Sequence, residues 1–351
     1  MKKPDMHRIM PAEWSKDITS VLIAYPHENT DWAYMLDEAR ECFNNIIKGI
    51  TDDAELTAVV VTPDIELTRA LLPSSLPADK LFFIELPTDD TWARDFGPIT
   101  VDEGGQKKLV DFQFNGWGLK FASSNDNLVN MRAHSRGVFT LPLENRRSFV
   151  LEGGSIESDG RGTIMTTSEC LMSPNRNGGD TREEIENELK RSLGAERVLW
   201  LDHGYLAGDD TDSHIDTLAR FTDDHTILYV KSYIADDPHN DALGKMESQL
   251  QTFLTADGQP YNLIGLPLPD PIYDEDGERL PATYANFLIT PKAILMPVYG
   301  QAMNDELATQ MMRIAFPDHK IVGIDCNALI KQHGSLHCVT MQLHGGATAT
   351  I

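Results

Sequence analysis

Short runs of apolar, β-branched and aromatic residues recur along the whole chain. Residues 21–25, 56–61, 81–86, 108–114, 197–201, 226–230, 293–298 and 320–324 all read as strands. Helical periodicity separates some of them. From residue 31 to 50, Trp32, Met35, Leu36, Ala39, Phe43, Ile46, Ile47 and Ile50 fall on one face, with Thr30 placed to cap it. Thr181 and Glu184 predict a capping box ahead of the stripe Ile185, Leu189 and Leu193. A third helix is predicted after Asn304, carrying Leu307, Met311 and Ile314. One helix to several strands argues against a doubly wound parallel sheet and for several small mixed α/β units. No linker or low-complexity tract divides the chain, and the acidic stretch at residues 270–278 reads as a solvated loop.

Charge narrows the partners. The 351 residues carry 54 acidic and 30 basic side chains, a formal net charge of -24. Nucleic acid and anionic membrane surfaces both need a cationic footprint, so neither is expected as a partner. A cationic ligand is favoured through steering. Four cysteines, Cys42, Cys170, Cys326 and Cys338, form no C-x-x-C pair, which predicts reduced thiols and a cytoplasmic protein. Residues 1–5 are charged with no apolar run behind them, so no secretory leader is expected. No apolar run is long enough to span a bilayer.

Four segments carry the candidate chemistry. They are the stretch around His337-Cys338, then Trp92-Ala93-Arg94-Asp95, Glu152-Gly153-Gly154, and His214-Ile215-Asp216. Together they offer a thiol, an imidazole and three carboxylates. A neutral amide substrate would call for one carboxylate to orient the histidine. Three suit a planar cation with several N–H donors, because carboxylates pair with guanidinium in fork geometry. If residues 214–219 form a strand, His214 and Asp216 share a face. By the same alternation His337 faces away from Cys338 on its strand, leaving His214 as the better base. Singly, each segment has an ordinary structural reading: a His–Asp pair, a turn with a solvated Glu, a core Trp beside a salt bridge. Their concurrence favours a cysteine hydrolase of a guanidinium compound. H-E-x-x-H and zinc-type spacings are absent, so neither a metal nor an organic cofactor is expected.

The set N/D-D-x-W-x-R-D, L-E-G-G-S, D-T-x-x-H-x-D and H-C-x-T-x-Q resembles the agmatine deiminases and the bacterial, Porphyromonas-type peptidylarginine deiminases of the guanidino-modifying superfamily. Met10-Pro11-Ala12-Glu13-Trp14, Asn175-Arg176-Asn177 and Val322-Gly323-Ile324 extend the likeness over nearly the whole chain. The resemblance implies a single catalytic domain over residues 1–351, folded as a five-bladed α/β propeller of ββαβ units. It implies Cys338 as nucleophile and His214 as general acid/base. Asp95 and Asp216 would clamp the guanidinium, Glu152 would be a third acidic partner, and Trp92 would flank the substrate. Two departures concern the segments beside the site. The family reads G-G-G-N-x-H-C where this chain has His333-Gly334-Ser335-Leu336-His337-Cys338, and E-T-N-G-H where it has Asp210-Thr211-Asp212-Ser213-His214. Between Leu201 and Ala219 there is no Arg or Lys, and Asp209, Asp210 and Asp212 would attract an amine. Trp117 is placed to wall a methylene chain. The expected reaction is agmatine to N-carbamoylputrescine and ammonia. Peptidylarginine is the alternative substrate, and a non-catalytic polyamine or basic-peptide binder is the alternative of another class. A homo-oligomer stays open.

Overall fold

The computed structural model describes residues 7–348. Residues 1–5, expected to hold no secretory leader, lie outside the described part. Among the described residues the strands form five separate sheets of three or four strands. In the first, Ile18–Ala24, Thr57–Thr62 and Leu81–Glu85 run parallel, separated by helices Leu36–Lys48 and Ile65–Leu71. The second pairs Ile99–Glu103 antiparallel with Gln106–Gln113, then returns through helix Val129–Ser135 to a parallel Leu143–Val150. The same order recurs in the third sheet: Ile156–Ser158, Thr163–Thr167, helix Arg182–Leu193, Arg197–Leu201. The fourth is Ala219–Phe221, Thr226–Lys231, helix Asn240–Leu250, Asn262–Pro267. The fifth is Leu288–Ile289, Ala293–Val298, helix Ala302–Ala315, Lys320–Asp325. Each unit is a hairpin, a helix and a parallel strand. The hairpin partner of Ile18–Ala24 is Met341–His344 from the far end of the chain, so the first sheet joins the two ends.

Local chemistry explains these elements. Strands covered on both faces read as unbroken apolar runs. Val21–Ala24, 58–61 and 294–296 are fully buried. The Thr181 side chain accepts from the Glu184 N–H and Glu184 returns to the Thr181 N–H, the predicted capping box. Gly194, at φ 76°, closes that helix in the left-handed region. The helix expected over residues 31–50 is shorter, Leu36–Lys48. Thr30 donates to the His27 carbonyl instead of capping, and the Trp32 indole donates to Thr91 Oγ1 at 2.9 Å. Both interactions hold residues 30–35 as turns while keeping Trp32 and Met35 buried. The helix placed after Asn304 starts earlier, at Ala302.

Between the sheets lies a buried charged knot. Arg220, with no exposed surface, pairs with Glu13 and Glu157, donates to the Phe287 carbonyl at 2.7 Å, and stacks 4.7 Å from the Phe287 ring centroid. It thereby ties the fourth and fifth sheets to the segments at residues 13 and 157. Removing one partner of such a network leaves an unpaired buried charge, costing about 3–5 kcal/mol. This knot is the floor on which the candidate site stands.

Candidate active site

Asp95 lies in the helical turn Ala93–Phe96 and is buried. Its Oδ2 accepts the Trp117 indole N–H at 2.9 Å, and its Oδ1 accepts the Gly154 N–H at 3.0 Å. Trp117 reaches it from a left-handed backbone, φ 54° and ψ 51°, between Gly116 and Gly118, which also have positive φ. A bulky residue held there stores strain, of the kind that clusters where a side chain must be aimed. Burial pushes the Asp95 carboxyl up to about 6, with Asp216 and Glu152 adding and His214 and Trp117 opposing.

The strand expected at residues 214–219 is instead a tight turn followed by a short 3-10 segment, Ile215–Thr217. Asp212 and Ser213 both take positive φ, 64° and 62°, where the family motif has Asn-Gly. The turn survives the change because Asp212 is pinned by Arg176 Nη1 at 2.6 Å and Lys120 Nζ at 2.8 Å. Strand alternation therefore does not relate His214 to Asp216, yet both converge on Gly154. A Cβ there would lie 2.7 Å from His214 Nδ1, 2.9 Å from Asp95 Oδ1 and 3.0 Å from Asp216 Oδ2. The second glycine of Glu152-Gly153-Gly154 makes room for these three side chains.

His214 is fully buried, its Nδ1 3.7 Å from Asp95 Oδ1, and neither ring nitrogen has a hydrogen-bond partner. Burial alone would lower its pKa, but Asp95, Cys170 and Glu152 hold it well above the ordinary histidine value. Asp216 is buried too, yet His337 and the charges of His214 and Arg220 outweigh the burial and lower its pKa. Its Oδ1 has no partner.

Cys338 and His337 lie in a turn, not on a strand. The His337 ring nevertheless points into the charged knot. Its Nδ1 lies 2.7 Å from Asp216 Oδ2, and its Nε2 lies 3.0 Å from Glu13 Oε2 and 3.1 Å from Arg220 Nη2. Burial, Arg220 and Arg94 depress its pKa, with Glu13 and Asp216 opposing. The Cys338 N–H and thiol both donate to Asn286 Oδ1, at 3.2 and 3.4 Å. Burial and the neighbouring Asp216 and Asp95 carboxylates push the Cys338 thiol well above the ordinary range. Asn286 has no motif around it in sequence, and its role emerges only from the fold.

A cavity opens beside Cys338. Cys338, Asp95, Trp92, Trp117 and Asp210 line it, as do Asp31 and Asp90, two carboxylates that sequence reasoning did not single out. Asp89-Asp90 open the very motif that contains Trp92, which was the available signal. His214 and Asp216, both fully buried, sit behind the wall formed by Asp95, gathered with it around Gly154. Glu152 has no exposed surface, and both its oxygens accept from Arg176 Nε, at 2.9 and 3.1 Å. It is the neighbour of His214 and Cys170 instead of a free wall of the cavity.

Two buried groups have metal-like ligand sets, Glu152–Cys170–His214 and Glu13–Glu157–His337. Arg176 occupies the first and Arg220 the second, so each already holds a cation of its own.

The chain matches the model of a family described as Porphyromonas-type peptidyl-arginine deiminase over residues 9–343. A protein of Marinomonas sp. (strain MWYL1), provisionally named an agmatine deiminase, is 32% identical over 95% of this chain and 94% of its own length. Among solved structures, a Porphyromonas gingivalis protein provisionally named an arginine deiminase has a TM-score of 0.92 and 49% identity, covering 97% of this chain and 100% of that one. A C. jejuni agmatine deiminase variant solved with substrate bound has a TM-score of 0.90 and 35% identity, covering 99% of both chains. The protein belongs to the Porphyromonas-type peptidyl-arginine deiminase family.

Proposed function

We propose that the protein is an agmatine deiminase, hydrolysing agmatine to N-carbamoylputrescine and ammonia. One observation carries this reading: a single cavity joins the Cys338 thiol to four carboxylates, Asp31, Asp90, Asp95 and Asp210, with no lysine or arginine on its walls among the described residues. Such a lining attracts a dication and opposes the α-carboxylate of free arginine. The agmatine deiminases among its relatives support the same substrate. The five ββαβ units support a closed five-bladed propeller, one catalytic domain over residues 1–351, with the site at its axis.

Asp95 and Asp216 hold the guanidinium and keep it charged, which places its carbon in line with sulfur. The arriving cation offsets the two carboxylates that raise the Cys338 pKa, so the thiolate forms in the complex. Sulfur attacks the guanidinium carbon, and the C–N bond to a terminal nitrogen breaks as His214 delivers a proton to the departing ammonia. The thiouronium is then attacked by water that His214 deprotonates, and C–S cleavage gives the ureido product and restores the thiol. Glu152 keeps the His214 proton affinity high. No metal or organic cofactor enters the cycle.

Ammonia release from agmatine, assayed for native protein and for Cys338→Ala, tests the proposal directly. Activity persisting in the variant would end it, while EDTA should leave the native rate unchanged. Peptidylarginine is the second reading, favoured by the family description. Ranking kcat/KM for agmatine, free arginine and a blocked arginine peptide separates the two, and a native protein that binds agmatine without turnover would be a binder.

A further inference from the structure

Three carboxylates of the cavity, Asp31, Asp90 and Asp210, play no part in the chemistry above. Asp90 is only 9% exposed. Its Oδ2 accepts the Trp92 indole N–H at 3.0 Å, and its Oδ1 has no partner. Among the described residues no cation pairs with it, and the charged neighbour that acts on it, Asp31, has the same sign. Asp31 is itself exposed and lines the same cavity. Asp210 stands differently. Burial pushes it up to about 6, but His333 and Lys120 already offset its charge.

A carboxylate taken out of water without a counter-charge is costly, and it avoids the cost by staying protonated or by receiving a cation. Burial and Asp31 push Asp90 up to about 7, the signature of a group whose partner is missing. The character of that partner follows from the walls that share the cavity with Asp90 and Cys338. Trp92, Trp117 and Phe121 line it, with Trp117 set edge-on to both of the other rings. Aromatic walls suit a methylene chain and an organic ammonium; a hydrated metal ion would find few ligands there.

We propose that Asp90, with Asp31 beside it at the cavity, seats the second positive group of the substrate, a primary ammonium at the end of a short methylene chain. This rests on the guanidine deiminase reading and deepens it by dividing the cavity into two ends. The guanidinium lies between Asp95 and Cys338, and the amine lies against Asp90. An α-carboxylate placed there would meet like charge. A peptide amide would bring no positive charge to offset the buried carboxylate. Selection of agmatine over arginine and its peptides then resides in Asp90 more than in Asp210.

The test compares agmatine with n-butylguanidine, which has the same chain and no amine, in native protein, Asp90→Asn and Asp31→Asn. The expected result is a loss of kcat/KM in Asp90→Asn at least tenfold greater for agmatine than for butylguanidine, appearing mainly as a higher KM. Asp31→Asn, an exposed change that leaves the Trp92 contact intact, should show the same selective loss, smaller in size. Equal losses on the two substrates, or none, would overturn the assignment. Calorimetric titration with putrescine decides it independently of turnover. Should the native protein fail to hydrolyse agmatine, the proposed function falls. Putrescine binding that weakens in Asp90→Asn would still support the ammonium seat, and unchanged binding would overturn it.

Discussion

Trp117 Nε1 lies 2.9 Å from Asp95 Oδ2, and it reaches that position from a left-handed backbone that tryptophan rarely adopts. The strain persists only because neighbouring structure fixes it. Phe114, Phe121 and Trp92 pack edge-on around the indole, and the Asn115 side chain accepts the Gly118 N–H across the turn. The arrangement aims one N–H at one oxygen while Trp117 lines the cavity.

Trp117→Phe keeps the aromatic wall and deletes the N–H. A hydrogen bond to a charged group contributes about 1.5–3 kcal/mol, so kcat/KM for agmatine should fall roughly 10- to 100-fold. Because the lost contact orients Asp95, the effect should appear in kcat as well as KM. Steady-state kinetics with thermal melts checks this. A variant within twofold of native would mean that the Gly154 N–H alone suffices to hold Asp95.

The elements were legible where pattern and packing agree. Unbroken apolar runs marked the covered strands, and Thr181 with Glu184 marked a helix start by chemistry that is purely local. Residues 31–35 misled because Trp32 and Met35 keep the helical spacing while an indole hydrogen bond to Thr91, 59 positions away, holds them in turns. The site shows the same division. Cys338, Trp92 and Asp95 sit in short motifs. His214 and Asp216 were paired by a strand argument that fails, since Asp212 and Ser213 turn the chain and a glycine from another segment gathers the carboxylates. Asn286, 52 residues before Cys338, has no local signal. Asp90 sits in the same motif as Trp92, but sequence shows neither its burial nor its missing partner.

Gly154→Ala is a steric test of that gathering point. The new Cβ would sit within 3.0 Å of His214, Asp95 and Asp216 atoms, all buried. Overpacking of this kind costs about 1–3 kcal/mol. A lower Tm with kcat reduced by at least about 100-fold is expected, since three site groups must shift together. Native-like turnover would show that these side chains tolerate displacement.

The raised carboxylates set a pH dependence. Asp95 is pushed up to about 6, mainly by burial and with Asp216 and Glu152 adding against His214 and Trp117. Asp90 is pushed up to about 7 by burial and Asp31, against the hydrogen bond from Trp92. A folded pKa above the unfolded value of about 4 favours the fold below that pH, and the contribution is lost as pH climbs through 6 and 7. Bound cation reverses the loss, because it needs the ionised forms. In Cys338→Ala, saturating agmatine should therefore raise Tm more at pH 8 than at pH 5, by at least about 2 °C. Equal increments at both pH values would contradict the assigned ionisations.

The two histidines near Cys338 should fail in different ways. His214 has no hydrogen bond to lose, and Asp95, Cys170 and Glu152 keep it protonated. His214→Ala should thus fold, retain alkylation of Cys338 by a cationic haloacetamidine, and lose at least about 100-fold in kcat, the scale of general acid/base catalysis. His337 instead satisfies Asp216 Oδ2 while Arg220 and Glu13 surround its other nitrogen. His337→Phe strands that buried carboxylate, and a stability loss of about 3–5 kcal/mol is expected from such an orphaned charge. His337→Asn, which can still donate toward Asp216, should recover part of both stability and rate. Melts, alkylation rates and the pH profile of kcat together distinguish the roles. If His214→Ala turned over normally and His337→Asn were inactive yet fully stable, the acid/base assignment would have to move to His337.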